Sequence, residues 1–244
     1  KLPNEQLKQQ AIARAINWIA SMQCQAGGWA AFDLNNNQEW LNLVPYGDLK
    51  AMIDPNTADV TARVLEMLGE CKQSIDTQSF EKALFYLINE QETDGSWFGR
   101  WGVNYIYGTS GALSALALVA PQTYKSSIER GATWLLKCQN PDGGWGETCR
   151  SYNDPSLKGQ GKSTASQSAC PLIGLMAAVE TRNYPSLQQT IERGVNYLLA
   201  SMQPDGTWYE AEFTGTGFPC HFYLKYHLYQ QYFPLIALAR YQNL

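Results

Sequence analysis

The chain has 244 residues, 45% of them hydrophobic and 16% charged, so it is long enough to bury a large core as one or two globular domains and is not disordered. The formal net charge is −4 at pH 7 and no run of Lys or Arg reaches three residues, which argues against a nucleic-acid partner or a polybasic membrane contact. The longest apolar stretches, 112–120 and 169–179, are too short to span a bilayer. These features together predict an uncharged partner.

Four copies of a Gln-x3-Gly-x-Trp template divide the chain, and the last copy is imperfect because Met202 occupies its Gln position. The copies read QCQAGGW (23–29), QETDGSW (91–97), QNPDGGW (139–145) and MQPDGTW (202–208). In every copy an aromatic residue lies nine positions before the Gly: Trp18, Tyr86, Trp134 and Tyr197. The pattern predicts a helix that ends at the Gly, where a residue with positive φ is needed.

A second, more apolar helix is predicted after each copy, over 58–68, 110–120, 164–180 and 221–241. The glycines of successive copies lie 68, 48 and 63 residues apart, which indicates a two-helix repeat with loops of variable length. We therefore predict an all-α fold, an α/α toroid of helical hairpins in which the apolar helices form the inner ring. Four hairpins leave such a ring open, so we expect one domain over 1–244, an incomplete α6–α6 barrel and a fragment of a larger protein.

Burial should follow the same division, with 110–120 and 164–180 more buried than 78–91 and 128–139. The repeated Gln and Trp predict a clasp between outer helices, because a Gln side chain offers two donors and an acceptor. Direct ligand binding by the tryptophans is the alternative, disfavoured because they recur in every unit. We expect each Trp to pack beside its own Gln or the next helix start, away from a central cavity: Trp29, Trp97 and Trp145 with Gln23, Gln91 and Gln139.

Residues 213–244 contain nine aromatic residues and no Asp or Glu. On a continuous helix, steps of 4, 4, 3 and 4 would place five of them on one face: Phe218, Phe222, Tyr226, Tyr229 and Phe233. A hydrophobic core stripe is the simpler interpretation. The excess of Tyr and the lack of branched aliphatic residues on this face instead favour a wall that stabilises a cationic intermediate, since π faces attract a cation that a carboxylate would trap or deprotonate.

The repeats and the segments between them resemble the C-terminal part of bacterial squalene–hopene cyclases, which are terpene cyclases. The resemblance runs along the whole chain and includes GGWAAFD (27–33), DPNTADVTARVLEMLG (54–69), DGSWFGRWGVNYIYGT (94–109), NPDGGWGETCRSY (140–152) and YLLASMQPDGTWYEAEFTGTGFP (197–219). It implies an isomerase that folds squalene between two α/α barrels and forms hopene, or hopanol by a hydro-lyase side activity, without a metal or cofactor. The Asp-x-Asp-Asp motif with the family's proton donor does not occur in these residues, so the resemblance places it upstream, with the second barrel.

The resemblance also implies roles for individual residues. Four residues would support the acid or bind the first-ring end of the substrate, and we call them the initiation residues: Asp59, Arg63, Trp101 and Tyr107. Aromatic side chains would line the cavity along the substrate: Phe32, Phe218, Phe222, Tyr223, Tyr226 and Tyr229. Three residues would narrow the substrate channel: Tyr46, Gly47 and Leu49.

The implied partners are squalene, the N-terminal part of the same enzyme and a second copy in a homodimer, with the intact protein peripheral (monotopic) on the cytoplasmic side of a bacterial membrane. A non-catalytic toroidal module that binds a lipid or polyprenyl ligand, and a cyclase of another polyprene, are alternatives. A protein prenyltransferase β-subunit shares the toroid but needs zinc, and His221 and His227 are the only histidines. The six cysteines are predicted to be reduced packing residues.

Overall fold

The computed structural model describes residues 4–45, 47, 49, 51–72, 75–180 and 185–244. Within these residues the chain forms eight α-helices, three short 3₁₀ turns and one two-stranded antiparallel sheet. Four helices are outer: α1 (Glu5–Ser21), α3 (Thr77–Asn89), α5 (Lys125–Lys137) and α7 (Pro185–Ser201). Four helices are inner: α2 (Ala58–Cys71), α4 (Tyr105–Val119), α6 (Ala165–Glu180) and α8 (Tyr229–Gln242). The predicted all-α class and the pairing of helices into hairpins are confirmed.

The inner helices pack against one another in the order α2, α4, α6, α8. Leu113 and Leu116 of α4 and Leu172 and Leu175 of α6 are completely buried. Helix α4 is small or apolar on all sides, as suits a helix surrounded by others, whereas α3 and α5 each bury one stripe and expose the rest. The predicted difference in burial between the inner and outer helices is confirmed.

The repeated glutamines tie each loop to the next outer helix. Nε2 of Gln23 donates to the carbonyl oxygen of Gly27 and to that of Ser79, at the start of α3, at 2.7 Å each. The same two bonds recur in the second and third copies at 2.8 to 3.0 Å: Gln91 to Gly95 and Ser127, and Gln139 to Gly143 and Thr190. The predicted clasp between outer helices is therefore confirmed.

The tryptophans join the two helices of their own hairpin. The indole Nε1 of Trp97 donates to the carbonyl oxygen of Leu87 in α3 at 2.7 Å, and its backbone N–H donates to Oγ1 of Thr109 in α4 at 2.9 Å. The ring also lies against α5, because a Cβ added to Gly131 would be 2.8 Å from its Cζ3. Trp29 and Trp145 repeat the two hydrogen bonds. The expected packing against the next outer helix is confirmed for Trp97.

Each motif glycine needs a positive φ, and three of them also need to lack a side chain. Gly95 has φ 98°, and a Cβ there would lie 2.7 Å from the carbonyl oxygen of Arg130 in α5. Gly206 in the fourth copy has φ 82°, but no atom of the described residues lies within 4 Å of an added Cβ. The fourth copy thus keeps the turn without a neighbouring helix to clasp.

Residues 221–228 depart from the prediction of one helix over 221–241. Strands β1 (Gly215–Phe218) and β2 (Phe222–Leu224) form a hairpin, and α8 begins at Tyr229. The hairpin adds to the loop before α4, where the N–H of Thr216 donates to the carbonyl oxygen of Trp101 at 3.0 Å and that of Val103 to Thr214 at 3.2 Å. Pro219 and Cys220, the latter at φ 70°, interrupt a helix at this point. Pairing with a distant loop therefore overrides the local helical periodicity.

Candidate active site

Helices α2 and α4 bring the four initiation residues together. Asp59, in the first turn of α2, is 3% exposed, and its Oδ2 accepts the backbone N–H of Trp101 at 2.8 Å across 42 positions of sequence. One turn further along α2, Cζ of Arg63 lies 5.5 Å from the ring centroid of Tyr107, in the first turn of α4. The loop before α4 thereby holds Trp101 and Tyr107 beside α2.

Burial changes the protonation behaviour of this group. Desolvation raises the pKa of the Asp59 carboxyl above its ordinary value, although the N–H of Trp101 favours the charged form. Desolvation also raises the pKa of Tyr107, against the opposite influence of the Arg63 guanidinium. Tyr107 is therefore a neutral phenol at physiological pH, able to donate a hydrogen bond.

Two buried glutamates at the starts of inner helices were not predicted from the sequence. Oε2 of Glu147 accepts the backbone N–H groups of Ile106 at 2.8 Å and Asn104 at 3.3 Å, at the start of α4. Glu210 accepts the N–H and Oγ–H of Ser166 at the start of α6, at 3.0 and 2.8 Å. Burial raises the pKa of both carboxyls. Each follows a motif tryptophan by two residues, which is the sequence signal that could have identified them.

Tyr152 supports the loop that carries Trp101. Its buried hydroxyl lies 2.7 Å from the carbonyl oxygen of Gly102 and 2.9 Å from that of Gly99, so it can donate to either. Burial raises the pKa of Tyr152 well above its ordinary value, which keeps the hydroxyl a donor. Glu147 and Tyr152 together hold the segment that positions Trp101 and Tyr107.

The predicted single helical face of aromatic residues is wrong. Phe218 and Phe222 are partners across the β1–β2 hairpin, and Tyr226 lies in the turn before α8. Of the five residues, Tyr229 and Phe233 are on α8, with their ring centroids 5.0 Å apart. A single face would require a continuous helix from Phe218 to Phe233, and the structure has the β1–β2 hairpin in the first part of that segment instead.

The hairpin nevertheless places aromatic rings near Trp101. Tyr226 stacks on Tyr229 with centroids 4.8 Å apart, and a Cβ on Gly215 would meet both the Tyr226 ring at 2.7 Å and the Trp101 carbonyl oxygen at 2.6 Å. Phe32 contacts Trp101 edge to face at 5.7 Å. The rings therefore lie beside the initiation residues, in an arrangement that helical spacing did not predict.

The outer part of this aromatic group is exposed to solvent. Phe32 is 73% exposed and Phe222 is 48% exposed. Tyr223 is more sheltered, because its hydroxyl donates to the carbonyl oxygen of Cys149 at 3.4 Å and its ring lies 6.0 Å from that of Tyr152. Phe32 and Phe222 are therefore open to solvent in this chain.

Two of the three predicted channel residues, Gly47 and Leu49, lie in the loop between α1 and α2. Tyr46 is outside the described residues. Leu49 has φ 55° and is 38% exposed, and a Cβ on Gly47 would lie 3.1 Å from Cγ of Met52 in the same loop. Their role in a channel stays a prediction.

Among the described residues, no helix is both long and apolar enough to cross a membrane. The described His, Cys, Asp and Glu side chains include no group of three that could hold a metal ion. All six cysteines are free thiols, and Cys24 and Cys170 are buried.

Residues 1–243 match the family model described as the squalene-hopene cyclase C-terminal domain. The chain belongs to this family. A dammaradiene synthase from Dryopteris crassirhizoma is 54% identical over 100% of the chain and 38% of its own length, and a squalene–hopene cyclase from Zymomonas mobilis is 47% identical over 97% of the chain and 35% of its own length. The type II terpene cyclase MstE from Scytonema has a similar fold, with a TM-score of 0.60 and 20% identity over 85% of this chain and 54% of that chain.

The structural similarity to MstE confirms the predicted α/α toroid. The chain spans little more than a third of the length of these two curated relatives.

Proposed function

We propose that the whole protein containing this chain is a triterpene cyclase that converts squalene to hopene or hopanol by acid-initiated polycyclisation through carbocations. This chain contributes the partners of the acid and part of the aromatic wall. The observation that carries the proposal is the convergence of Asp59, Arg63, Trp101 and Tyr107 beside a set of aromatic rings. The acid itself would come from an Asp-x-Asp-Asp motif in the remaining two thirds of the polypeptide.

Protonation of an alkene requires a carboxylic acid that is neutral at rest and strongly acidic when it reacts. Arg63 and Tyr107 present a guanidinium and a phenol to one region, and both can stabilise the carboxylate left after proton transfer. In this scheme the Asp59 carboxyl accepts the backbone N–H of Trp101 and does not face the substrate. Nε1 of Trp101 is buried and has no hydrogen-bond partner among the described residues, so this donor is available to a group from the rest of the protein.

The aromatic residues would stabilise the later cations. Each desolvated ring contributes on the order of 0.5–2 kcal/mol of cation–π attraction. Because Phe32 and Phe222 are exposed in this chain, water would reach and quench a cation formed here. We therefore propose that the 244-residue chain alone does not cyclise squalene, whereas the intact protein does. We also propose that the intact protein is dimeric and peripheral on a membrane.

The test is product analysis by gas chromatography after the full-length protein is incubated with squalene. Tyr107→Phe and Arg63→Ala should slow total turnover, because both remove support from the acid. Phe218→Ala should leave total turnover nearly unchanged and release partly cyclised products, with a change in partitioning on the order of tenfold. Phe85→Ala is the matched control: Phe85 is 64% exposed on outer helix α3, so neither rate nor products should change.

Turnover by the 244-residue chain alone, or an unchanged product spectrum for Phe218→Ala, would contradict these roles. Squalene binding without turnover by the full-length protein would instead support a toroidal lipid-binding module. The same assay is needed to identify the product, since the chain is 54% identical to a dammaradiene synthase and 47% identical to a squalene–hopene cyclase.

A further inference from the structure

A largely buried carboxylate links two arginines between the inner helices. Glu66 of α2 has a side chain 13% exposed, and its Oε2 accepts from Nη1 of Arg63 at 2.7 Å. Its Oε1 accepts from Nη2 of Arg240 in α8 at 3.4 Å. One carboxylate thus connects the first inner helix of the chain to the last, and none of the roles above includes it.

Arg63 has two contacts of different kinds. Its guanidinium lies over the Tyr107 ring at 5.5 Å and forms a short ion pair with Glu66. The aromatic contact alone is weakly directional, whereas the ion pair to a side chain one turn away on the same helix fixes where the guanidinium lies. The Arg63 side chain is 38% exposed and that of Glu66 only 13%, so this pair is screened less than a pair of two fully exposed side chains.

Glu66 also borders a cavity, which Arg63 itself does not line. A cavity of about 370 Å³ lies between the C-terminal halves of the four inner helices, and Glu66, Glu70, Ser114 and Arg240 contribute to its lining. Oγ of Ser114 is buried there without a hydrogen-bond partner among the described residues. Without the charge of Glu66, the guanidinium of Arg63 would lose the ion pair that holds it over Tyr107 and could take other side-chain positions.

We propose that Glu66 is a positioning residue for initiation: it holds the Arg63 guanidinium over Tyr107 while its second oxygen ties α8 to α2 through Arg240. The proposal rests on the proposed function, which assigns Arg63 to support of the acid. Glu66 acts through Arg63 and does not touch the substrate. Its loss should therefore lower the rate of initiation and leave the distribution of products unchanged.

The first test compares Glu66→Gln with Glu70→Gln in the full-length protein. Glu66→Gln keeps the side-chain volume and removes the charge, and total turnover should fall about tenfold, the effect of weakening one hydrogen bond between charged groups, while the product ratios stay constant. Glu70 lies one turn further along α2, lines the same cavity and is exposed, so Glu70→Gln should leave the rate within about twofold. An unchanged rate for Glu66→Gln would overturn the proposal.

A double-mutant cycle separates positioning from a general loss of stability. In an Arg63→Ala background, Glu66→Gln should cause no further loss of turnover, because the group it positions is gone. If it lowers the rate tenfold in both backgrounds, Glu66 acts by another route and the proposal is wrong. If Arg63→Ala itself has no effect, the assignment of Arg63 in the proposed function fails.

Arg240→Met tests the second contact of Glu66. It removes the tie to α8 and leaves the Arg63–Glu66 pair intact, so the unfolding midpoint should fall as it does for Glu66→Gln while turnover falls much less. Equal losses of turnover in the two variants would show that Glu66 acts through α8 and not through Arg63, which would overturn the proposal.

Discussion

Replacement of Gln139 by Met tests the clasp between outer helices. Nε2 of Gln139 donates to the carbonyl oxygens of Gly143 at 2.8 Å and Thr190 at 2.9 Å, and both bonds are partly buried. Met has a similar length and cannot donate, and the chain itself carries Met202 at the corresponding position of the fourth copy. The substitution therefore leaves two carbonyl groups without their donor and little else changed.

Two lost hydrogen bonds at about 1 kcal/mol each predict a decrease of about 2 kcal/mol in the free energy of unfolding. This corresponds to a change of about 30-fold in the unfolding equilibrium constant. The measurement is urea denaturation of the full-length protein, with hydrogen exchange to show that the increased opening is local to the start of α7. Gln91→Met should lose the same two bonds and also the one that Oε1 of Gln91 accepts from Arg130, so its decrease should be at least as large.

The control is Gln9→Met in α1, which removes one exposed hydrogen bond to Glu5. That change should stay within about 0.5 kcal/mol. If Gln139→Met costs no more than Gln9→Met, the glutamines do not hold the outer helices together, and the repeated motif needs another explanation.

Three further predictions concern stability. Gly95→Ala should destabilise the protein strongly, since the added Cβ would lie 2.7 Å from the Arg130 carbonyl oxygen. Gly206→Ala should cost only about 1–2 kcal/mol, the penalty of a left-handed backbone, because no atom of the described residues lies within 4 Å of its Cβ. Equal losses of unfolding free energy in the two variants would contradict this. Met202→Gln should leave the unfolding midpoint of the 244-residue chain unchanged, because no helix among the described residues lies beside Gly206. A clear rise in the midpoint would show that the chain itself contains a partner for this glutamine. Burial raises the pKa of the Glu147 carboxyl in the folded state, so the free energy of unfolding should fall as pH rises from about 4.3 through that raised pKa. Glu147→Gln should make this fall with pH less steep. Identical pH profiles for the two proteins would contradict the assignment of the raised pKa to Glu147.

The aromatic segment shows why local periodicity misled the prediction. Phe218, Phe222 and Tyr226 have helical spacing, which ignores the helix breaker Pro219 between them. The local sequence does not report that Trp101 and Val103 pair with 214–216. Thr216 binds a residue more than a hundred positions away, since its Oγ1 donates to the carbonyl oxygen of Arg100 at 2.7 Å. A backbone that finds such partners can be extended whatever its local pattern favours.

Glu147 and Tyr152 illustrate a second limit. A buried acid and a buried phenol occur in many sequences, and their role depends on which backbone groups they meet. The helix start that Glu147 caps lies 41 positions before it, and the carbonyl of Gly99 lies 53 positions before Tyr152. The position two residues after a motif tryptophan marks Glu147 in the sequence, but the spacing from Glu147 and Tyr152 to the groups they bind varies with loop length, so no fixed motif reports those partners.

The helical hairpin and its repetition follow from the sequence alone, because each depends on residues within one short segment: an aromatic residue, a Gln, a Gly that needs positive φ and a Trp. The recurring Gln also predicts the clasp, although its acceptors in the next outer helix lie 36 to 56 positions away. The family resemblance indicated Asp59 and Tyr107. Only the tertiary structure decided that Trp101 binds Asp59, that Glu66 joins Arg63 to Arg240 and that the aromatic rings lie on a hairpin. Those contacts join segments far apart in the chain, and their geometry follows from how the inner helices pack.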